Sequence, residues 1–395
     1  MRPRVALVGA LTLAAAVPAL SAPTVVRAVV RERSAASGLD AAVNVARSEG
    51  PQPAWIGWAV PSVRQHSSCC GTIGHADNAW CGGCRLEDED SLGPFEDRGA
   101  SVATARRSVA PEEERLHVLL RVDGGRIHRV RAFSADCALD VGGRVLHWLT
   151  DVRPAESVAF LSTLAGSVPP HALHSRGPVI RDRRTDDEDE DDADDDLEDE
   201  GDLVDVDSVA GGALSALALH ADPAVDPVLE RFVAPGQPYV LRSRAVFWMG
   251  VARERRGHAT LRRLAREDPD ASLRAKVVFA LSQSQVPEAV DDMIDMARRD
   301  ESTRVRGQAL FWLSQRAGRK AAAAIEGALR DDPDTSVKKK AVFALSQLPK
   351  AEGVPLLIRV ARTNRNPTVR KQAMFWLGQS HDPRALEFFE EVLGR

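Results

Sequence analysis

Phe247, Phe279, Phe311, Phe343 and Phe375 stand 32 residues apart, and no other feature of the sequence limits the fold as sharply. Each sits in a similar block: Ala-Val-Phe-Trp-Met-Gly, Val-Val-Phe-Ala-Leu-Ser-Gln, Ala-Leu-Phe-Trp-Leu-Ser-Gln, Ala-Val-Phe-Ala-Leu-Ser-Gln and Ala-Met-Phe-Trp-Leu-Gly-Gln. Equal intervals sustained this far require a repetitive architecture in which each unit buries its apolar face on the next. One interval upstream, Ala213-Leu214-Ser215-Ala216-Leu217 keeps the register without the aromatic residue, as a capping unit would. Each unit holds two helical patterns, such as Pro287 to Arg298, striped by Ala289, Met293 and Met296, followed by Val305 to Ser314. Turns rich in Asp, Pro and Asn separate them, as at Asp268-Pro269-Asp270, Asp332-Pro333-Asp334 and Asn364-Arg365-Asn366-Pro367.

The turn is followed by an apolar residue and a base (Leu273-Arg274, Val305-Arg306, Val337-Lys338, Val369-Arg370), then by Ala and the bulky block. This pattern resembles the HEAT-repeat family, in the short bacterial form named after phycobilisome lyases. The resemblance covers residues 208–395 and implies an α-solenoid. It leaves function open, because such repeats serve scaffolds, chaperones, lyases and hydroxylases. The hydroxylase branch is known for His-Glu pairs that ligate two irons, and this sequence has no His-Glu dipeptide. His220, His258 and His381 are read as solvated loop residues. The resemblance also implies that the bases five residues before Phe (Arg242, Arg274, Arg306, Lys338, Arg370) pair with turn aspartates, Arg274 with Asp270 or Asp300.

On a helical wheel of the second helix, with Phe as zero, positions −6, −2 and +2 (Val305, Ala309 and Leu313, for example) share the core face. Phe falls on the opposite side. It lies between position −3 (Arg244, Lys276, Gln308, Lys340, Gln372) and position +4 (Gln283, Gln315, Gln347, Gln379). In solenoids of this kind the second helices line the concave surface, which makes these rows a candidate protein-binding face. Position +1 alternates Trp248, Ala280, Trp312, Ala344, Trp376, with Lys at −3 where +1 is Ala, so a second period of two repeats is present. Helices stacking at about 8 to 10 Å would bring the tryptophans back about every 20 Å. Two uses of the rings stay open: recognition of a partner, or packing between repeats with Trp opposite Ala.

Charge divides the chain. Residues 186–207 carry 16 acidic residues and no basic one, although the whole chain has a net charge of −5. Such a run repels itself and has nothing apolar to bury, so residues 176–207 are expected to be a disordered acidic linker, either a spacer or a competitor for the basic array. Residues 1–22 read as a signal peptide: Met-Arg-Pro-Arg, an apolar run from Val5 to Leu20, and small residues Ala19, Ser21 and Ala22. The mature protein is therefore expected outside the cytoplasm, periplasmic or extracellular. Between these segments, residues 23–175 are expected to form an α+β cysteine-containing domain. Its strands are Trp55 to Val60, a hairpin of Leu116 to Val122 and Arg126 to Ser134 around Asp123-Gly124-Gly125, and Val145 to Leu149; Ala155 to Leu164 is its helix.

Cys69, Cys70, Cys81, Cys84 and Cys137 make an odd count. Disulfides suit the expected compartment. A zinc site at Cys81 and Cys84, with Cys69, Cys70, His66 or His75, is an alternative. Trp80-Cys81-Gly82-Gly83-Cys84 also resembles the thioredoxin-like redox motif, although the flanking residues do not suit that fold. The chain thus reads as an all-α HEAT-repeat solenoid behind an N-terminal α+β domain, joined by a disordered acidic linker. Its expected role is that of a monomeric, non-enzymatic envelope scaffold or adaptor. The partner would be a protein or extended peptide, an acidic one fitting the charge; no nucleic acid, cofactor or metal is assigned. The alternative is a lyase-like or redox maturation factor.

Overall fold

A computed structural model of the chain describes residues 23–63, 70–72, 79–81, 84–87, 114–135, 138–167, 208–316 and 318–394. The expected signal peptide and acidic linker lie outside the described residues, as do Cys69 and Cys137. For Cys70, Cys81 and Cys84 only the backbone is described.

The first half runs β1 (Val25–Val26), β2 (Val29–Ser34), α1 (Leu39–Ser48), β3 (Ala54–Pro61), β4 (Cys70–Thr72), β5 (Ala79–Cys81) and β6 (Cys84–Arg85). It continues with β7 (Arg115–Asp123), β8 (Arg126–Ser134), β9 (Leu139–Asp140), β10 (Val145–Thr150) and α2 (Pro154–Gly166). A five-stranded sheet in the order β2-β10-β3-β7-β8 is its frame, parallel on the β2 side and antiparallel from β3 to β8. The β7–β8 hairpin turns through Gly124 and Gly125, both at positive φ, where a Cβ would be strained. Helices α1 and α2 cover one face, where Leu39, Val43, Val158 and Leu161 share a core with Ile56, Trp58, Leu116 and Leu120. The other face carries Trp55, Leu119, Leu146 and Trp148 beneath Leu86, Leu139 and Val141.

The expected strands and helix are all found as β3, β7, β8, β10 and α2. Strand β2 and helix α1 lie outside that expectation. Val-Val-Arg-Glu-Arg-Ser is an exposed edge strand and lacks the alternation that burial on one face would impose.

The second half contains α3 (Val209–Leu219), α4 (Val225–Phe232), α5 (Tyr239–Ala252), α6 (Glu254–Glu267), α7 (Ala271–Gln283) and α8 (Glu288–Arg299). It ends with α9 (Thr303–Arg316), α10 (Gly318–Asp331), α11 (Thr335–Ser346), α12 (Lys350–Thr363), α13 (Pro367–Gln379) and α14 (Pro383–Leu393). The odd-numbered helices pack directly on one another from α3 to α13, whereas the even-numbered ones touch their own row far less. The stack therefore curves toward the odd-numbered row, which is the inner one. Side-chain caps start several inner helices: Asp270 accepts from Ser272 N, Asp334 from Ser336 N and Asn366 from Thr368 N.

Helix α3 is shared. It packs on β8 and α2 on one side and on α5 on the other, so Ala210 to Leu219 are all buried. A Cβ on Gly212 would lie 1.9 Å from the Val130 carbonyl oxygen, so glycine alone permits this approach. Beyond α3 the chain is stitched to the sheet: Val63 N–H donates to Leu219 O at 2.9 Å, and Ala221 N–H donates to Pro61 O at 2.9 Å. Arg253 donates to the carbonyls of Ala218 and His220 and pairs with Asp226. Sheet and array thus join by packing, with one apolar core running through both. His220 is buried at this joint, and burial pushes its pKa down to about 4.

Gly212→Ala should cost about 2 kcal/mol or more in urea unfolding, because the backbone of β8 must move. Gly327→Ala in α10, where a Cβ meets nothing within 4 Å, should be neutral or stabilising by up to about 1 kcal/mol. Equal effects at the two sites would show that the α3–β8 approach is not tight.

Candidate binding face on the inner helices

The core positions of the inner helices are filled as the wheel requires: Leu273, Val277, Leu281, Val305, Ala309, Leu313, Val337, Ala341 and Leu345 are all fully buried. The phenylalanines stand on the other side. Phe247, Phe279, Phe311 and Phe343 are half-buried, and Phe375 is 52% exposed. They are neither core nor free surface, because each ring is held by its neighbours.

The contacts form one unbroken row. Where position +1 is Ala, successive phenylalanines stack face to face: Phe247 on Phe279 and Phe311 on Phe343, each at 5.8 Å between centroids. Where it is Trp, the indole wedges in: Trp312 lies 4.8 Å from Phe279 and 5.0 Å from Phe311, and Trp376 lies 5.0 Å from Phe343 and 5.1 Å from Phe375. The Trp/Ala alternation is therefore a packing alternation, with large and small residues sharing the space between neighbouring helices. Trp248 is buried, and Trp312 and Trp376 are half-buried. The spacing of about 20 Å is corrected. Trp312 reaches Trp376 through contacts of 5.0, 5.8 and 5.0 Å, so the two rings are at most about 16 Å apart. Rings on the inside of a curved stack lie closer together than the helix axes do.

Flanking this row, Gln283, Gln315, Gln347 and Gln379 are exposed, and Arg244, Lys276, Gln308, Lys340 and Gln372 are half-buried. The Lys340 stem crosses Gly307, where a Cβ would sit 2.4 Å from its Cδ. Charge is fully segregated between the rows. Helices α5, α7, α9, α11 and α13 carry twelve Lys and Arg and no Asp or Glu, whereas the six outer helices α4 to α14 carry fourteen acidic and fifteen basic residues.

Three of the inner bases have another task. Arg242 pairs with Asp268, Arg274 with Asp300 at 2.8 Å, and Arg306 with Asp332 at 2.7 Å, all buried. Each pair joins an inner helix to the turn before the next one. Of the two partners considered for Arg274, the structure selects Asp300; Asp270 instead caps α7. Arg274 also donates to Asp268 O, Arg306 to Asp300 O and Arg370 to Asn364 O. At the fourth step Lys338 stands for Arg and Asn364 for Asp, so the charge pair is replaced on both sides at once.

The histidine expectation holds only for His381, which is exposed in a turn. His220 is buried at the sheet joint, and His258 lies inside α6, 3.2 Å from Asp292 on α8. Burial raises the Asp292 pKa against the pull of Arg262, His258 and Arg266. The positions equivalent to Asp292 in other repeats are Thr260, Ala324 and Leu356, a departure from the repeat that an alignment of the units reveals. As for the redox motif, Cys81 closes strand β5 and Cys84 opens strand β6, so neither starts a helix.

Residues 225–314 and 321–395 match the family model of HEAT repeats. The complex of CpcE and CpcF of phycocyanin lyase from Nostoc sp. PCC7120 is similar at 16% identity, over 34% of this chain and 88% of that one, with a TM-score of 0.29. YibA of Escherichia coli is 22% identical over 46% and 67%, with a TM-score of 0.31. Human deoxyhypusine hydroxylase in complex with glycerol is 17% identical over 46% and 71%, with a TM-score of 0.23. No curated protein matches the chain.

Restoring the fourth ladder step with Lys338→Arg and Asn364→Asp together should raise the thermal midpoint above that of either single variant. Asn364→Asp alone should gain least. A coupling energy below about 0.5 kcal/mol in the double-mutant cycle would show that Lys338 and Asn364 do not occupy the ladder geometry.

Proposed function

With its second half built of HEAT repeats, we propose that this protein is a non-enzymatic scaffold or adaptor that holds a protein partner along its inner helices. The observation that carries this reading is the composition of one face. An uninterrupted row of half-buried rings is bordered by exposed amides and by bases, with no carboxylate on the helices that present it. Rings already fixed by stacking lose little freedom when a partner covers them, and partly exposed aromatic residues with Arg are the types that anchor interfaces. The redox alternative is weaker, because a reactive thiol of that motif is stabilised at a helix start and these cysteines lie on strands.

The place of action belongs to the proposal too. A basic, apolar and small-residue leader supports export to the cell envelope or beyond. Cys70 and Cys81 are register partners across β4 and β5, which supports a disulfide in that compartment. Protein recovered from the exported fraction should lack residues 1–22 by mass; intact chain confined to the cytoplasm would sink this part.

The binding reading is tested with Gln283→Glu, Gln315→Glu and Gln347→Glu combined, all at exposed positions where stability should change by no more than about 0.5 kcal/mol each. Proteins that co-purify with the wild type should be lost from the variant. Retention of the same set by both would place the interface elsewhere.

A further inference from the structure

Folding gives no reason for five successive inner helices to exclude every carboxylate. The outer helices mix both signs and gain pairs between repeats such as Arg255 with Glu288 and Arg359 with Glu326. On the inner row only Arg242, Arg274 and Arg306 are committed to the buried turn aspartates. The other nine bases place like charges along one strip, where they repel one another. A ligand of opposite charge relieves that repulsion, and electrostatic complementarity of this kind chooses partners and speeds their encounter.

The rings supply a ruler. One two-repeat unit reaches the next through ring contacts of 5.8, 4.8 and 5.0 Å, so Phe247 and Phe311 are at most about 16 Å apart. An extended chain advances about 3.3 Å per residue, so four residues cover about 13 Å. Two residues therefore match one repeat, and four match one two-repeat unit. Extended chains also point every second side chain the same way, so residues four apart meet equivalent units in the same orientation. Lys276 and Lys340 are one such unit apart in the array. Gln283, Gln315 and Gln347, exposed once per repeat, carry the donor and acceptor that the backbone amides of such a chain need.

We propose that the partner is an extended acidic segment lying in register with the array, two residues to a repeat, with carboxylates at every fourth residue. This rests on the concave-face reading and adds chemistry and spacing to it. Sign selects the class of partner, and the ring spacing selects among acidic sequences.

Fluorescein-labelled peptides of about 16 residues test the idea by anisotropy with the full chain at about 50 and about 500 mM salt. One carries Glu at every fourth position, a second has the same composition with irregular spacing, and a third has Gln for each Glu. The first should bind, weakening about tenfold or more at high salt; the second should be severalfold weaker and the third about tenfold weaker. Lys276→Glu with Lys340→Glu should reduce binding of the first peptide by about tenfold at an unchanged melting temperature. Equal binding of the Glu and Gln peptides, no binding of any peptide, or tighter binding of a single-stranded oligonucleotide of equal length would overturn the acidic-segment proposal. Gln315→Trp, which crowds the strip, separates the two readings. If it blocks a peptide that binds regardless of charge, the concave face stands and the acidic segment falls; if it leaves binding of the first peptide intact, both fall.

Discussion

A guanidinium that reaches from one inner helix to the carboxylate in the turn before the next is the link on which the array depends. Arg242, Arg274 and Arg306 each make it from buried positions to Asp268, Asp300 and Asp332. Two charges out of water are tolerable only when paired and hydrogen-bonded, and here the turn carbonyls take further protons of the same guanidinium. Such a bond is directional, whereas apolar packing alone is not. Each inner helix is therefore held at a set distance and angle from the next, and the rings on the other side of those helices inherit that spacing.

What the rings do with it follows from volume. Centroids 5.8 Å apart leave no room for another side chain, so the Phe pairs require Ala280 and Ala344 beside them. Between the pairs the gap takes one indole, in Trp312 and again in Trp376. Recognition and packing are consequently not rival uses of these residues. The tryptophans fix the phenylalanines by their edges, and the remaining exposed part of each ring is presented in a rigid row.

The repeat is legible in the sequence because periodicity survives any ignorance of packing: the core positions and the inner-row assignment follow from spacing, and the structural use of Arg274 from the family resemblance. Helix-axis distances overestimate the ring spacing because they apply to the middle of the stack, not to its inside. His258 and Asp292 escape a reading of one repeat at a time, since a single unit shows no departure from the others until they are compared. In the first half, β3, β7, β8, β10 and α2 announce themselves by β-branched runs, a Gly-Gly turn and a proline at the helix start. Strand β2 and the packing of α3 do not, since an exposed edge carries no alternation and a helix buried all round shows no polar face.

Helix α3 explains why the inner row can end without its ring. Ser215 occupies the phenylalanine position and, being buried, turns its hydroxyl back to Gly212 O at 2.9 Å. A phenylalanine there would need space that the sheet side of α3 has closed, as the Gly212 approach to Val130 shows. The aromatic row therefore begins at Phe247, one helix away from a wall formed by α3 on β8. Because that wall shares a core with the array, the first half sets where the inner face begins as well as being attached to it. A partner lying along the strip would meet a fixed boundary at this end, which gives its register a starting point that a row of identical repeats could not supply alone.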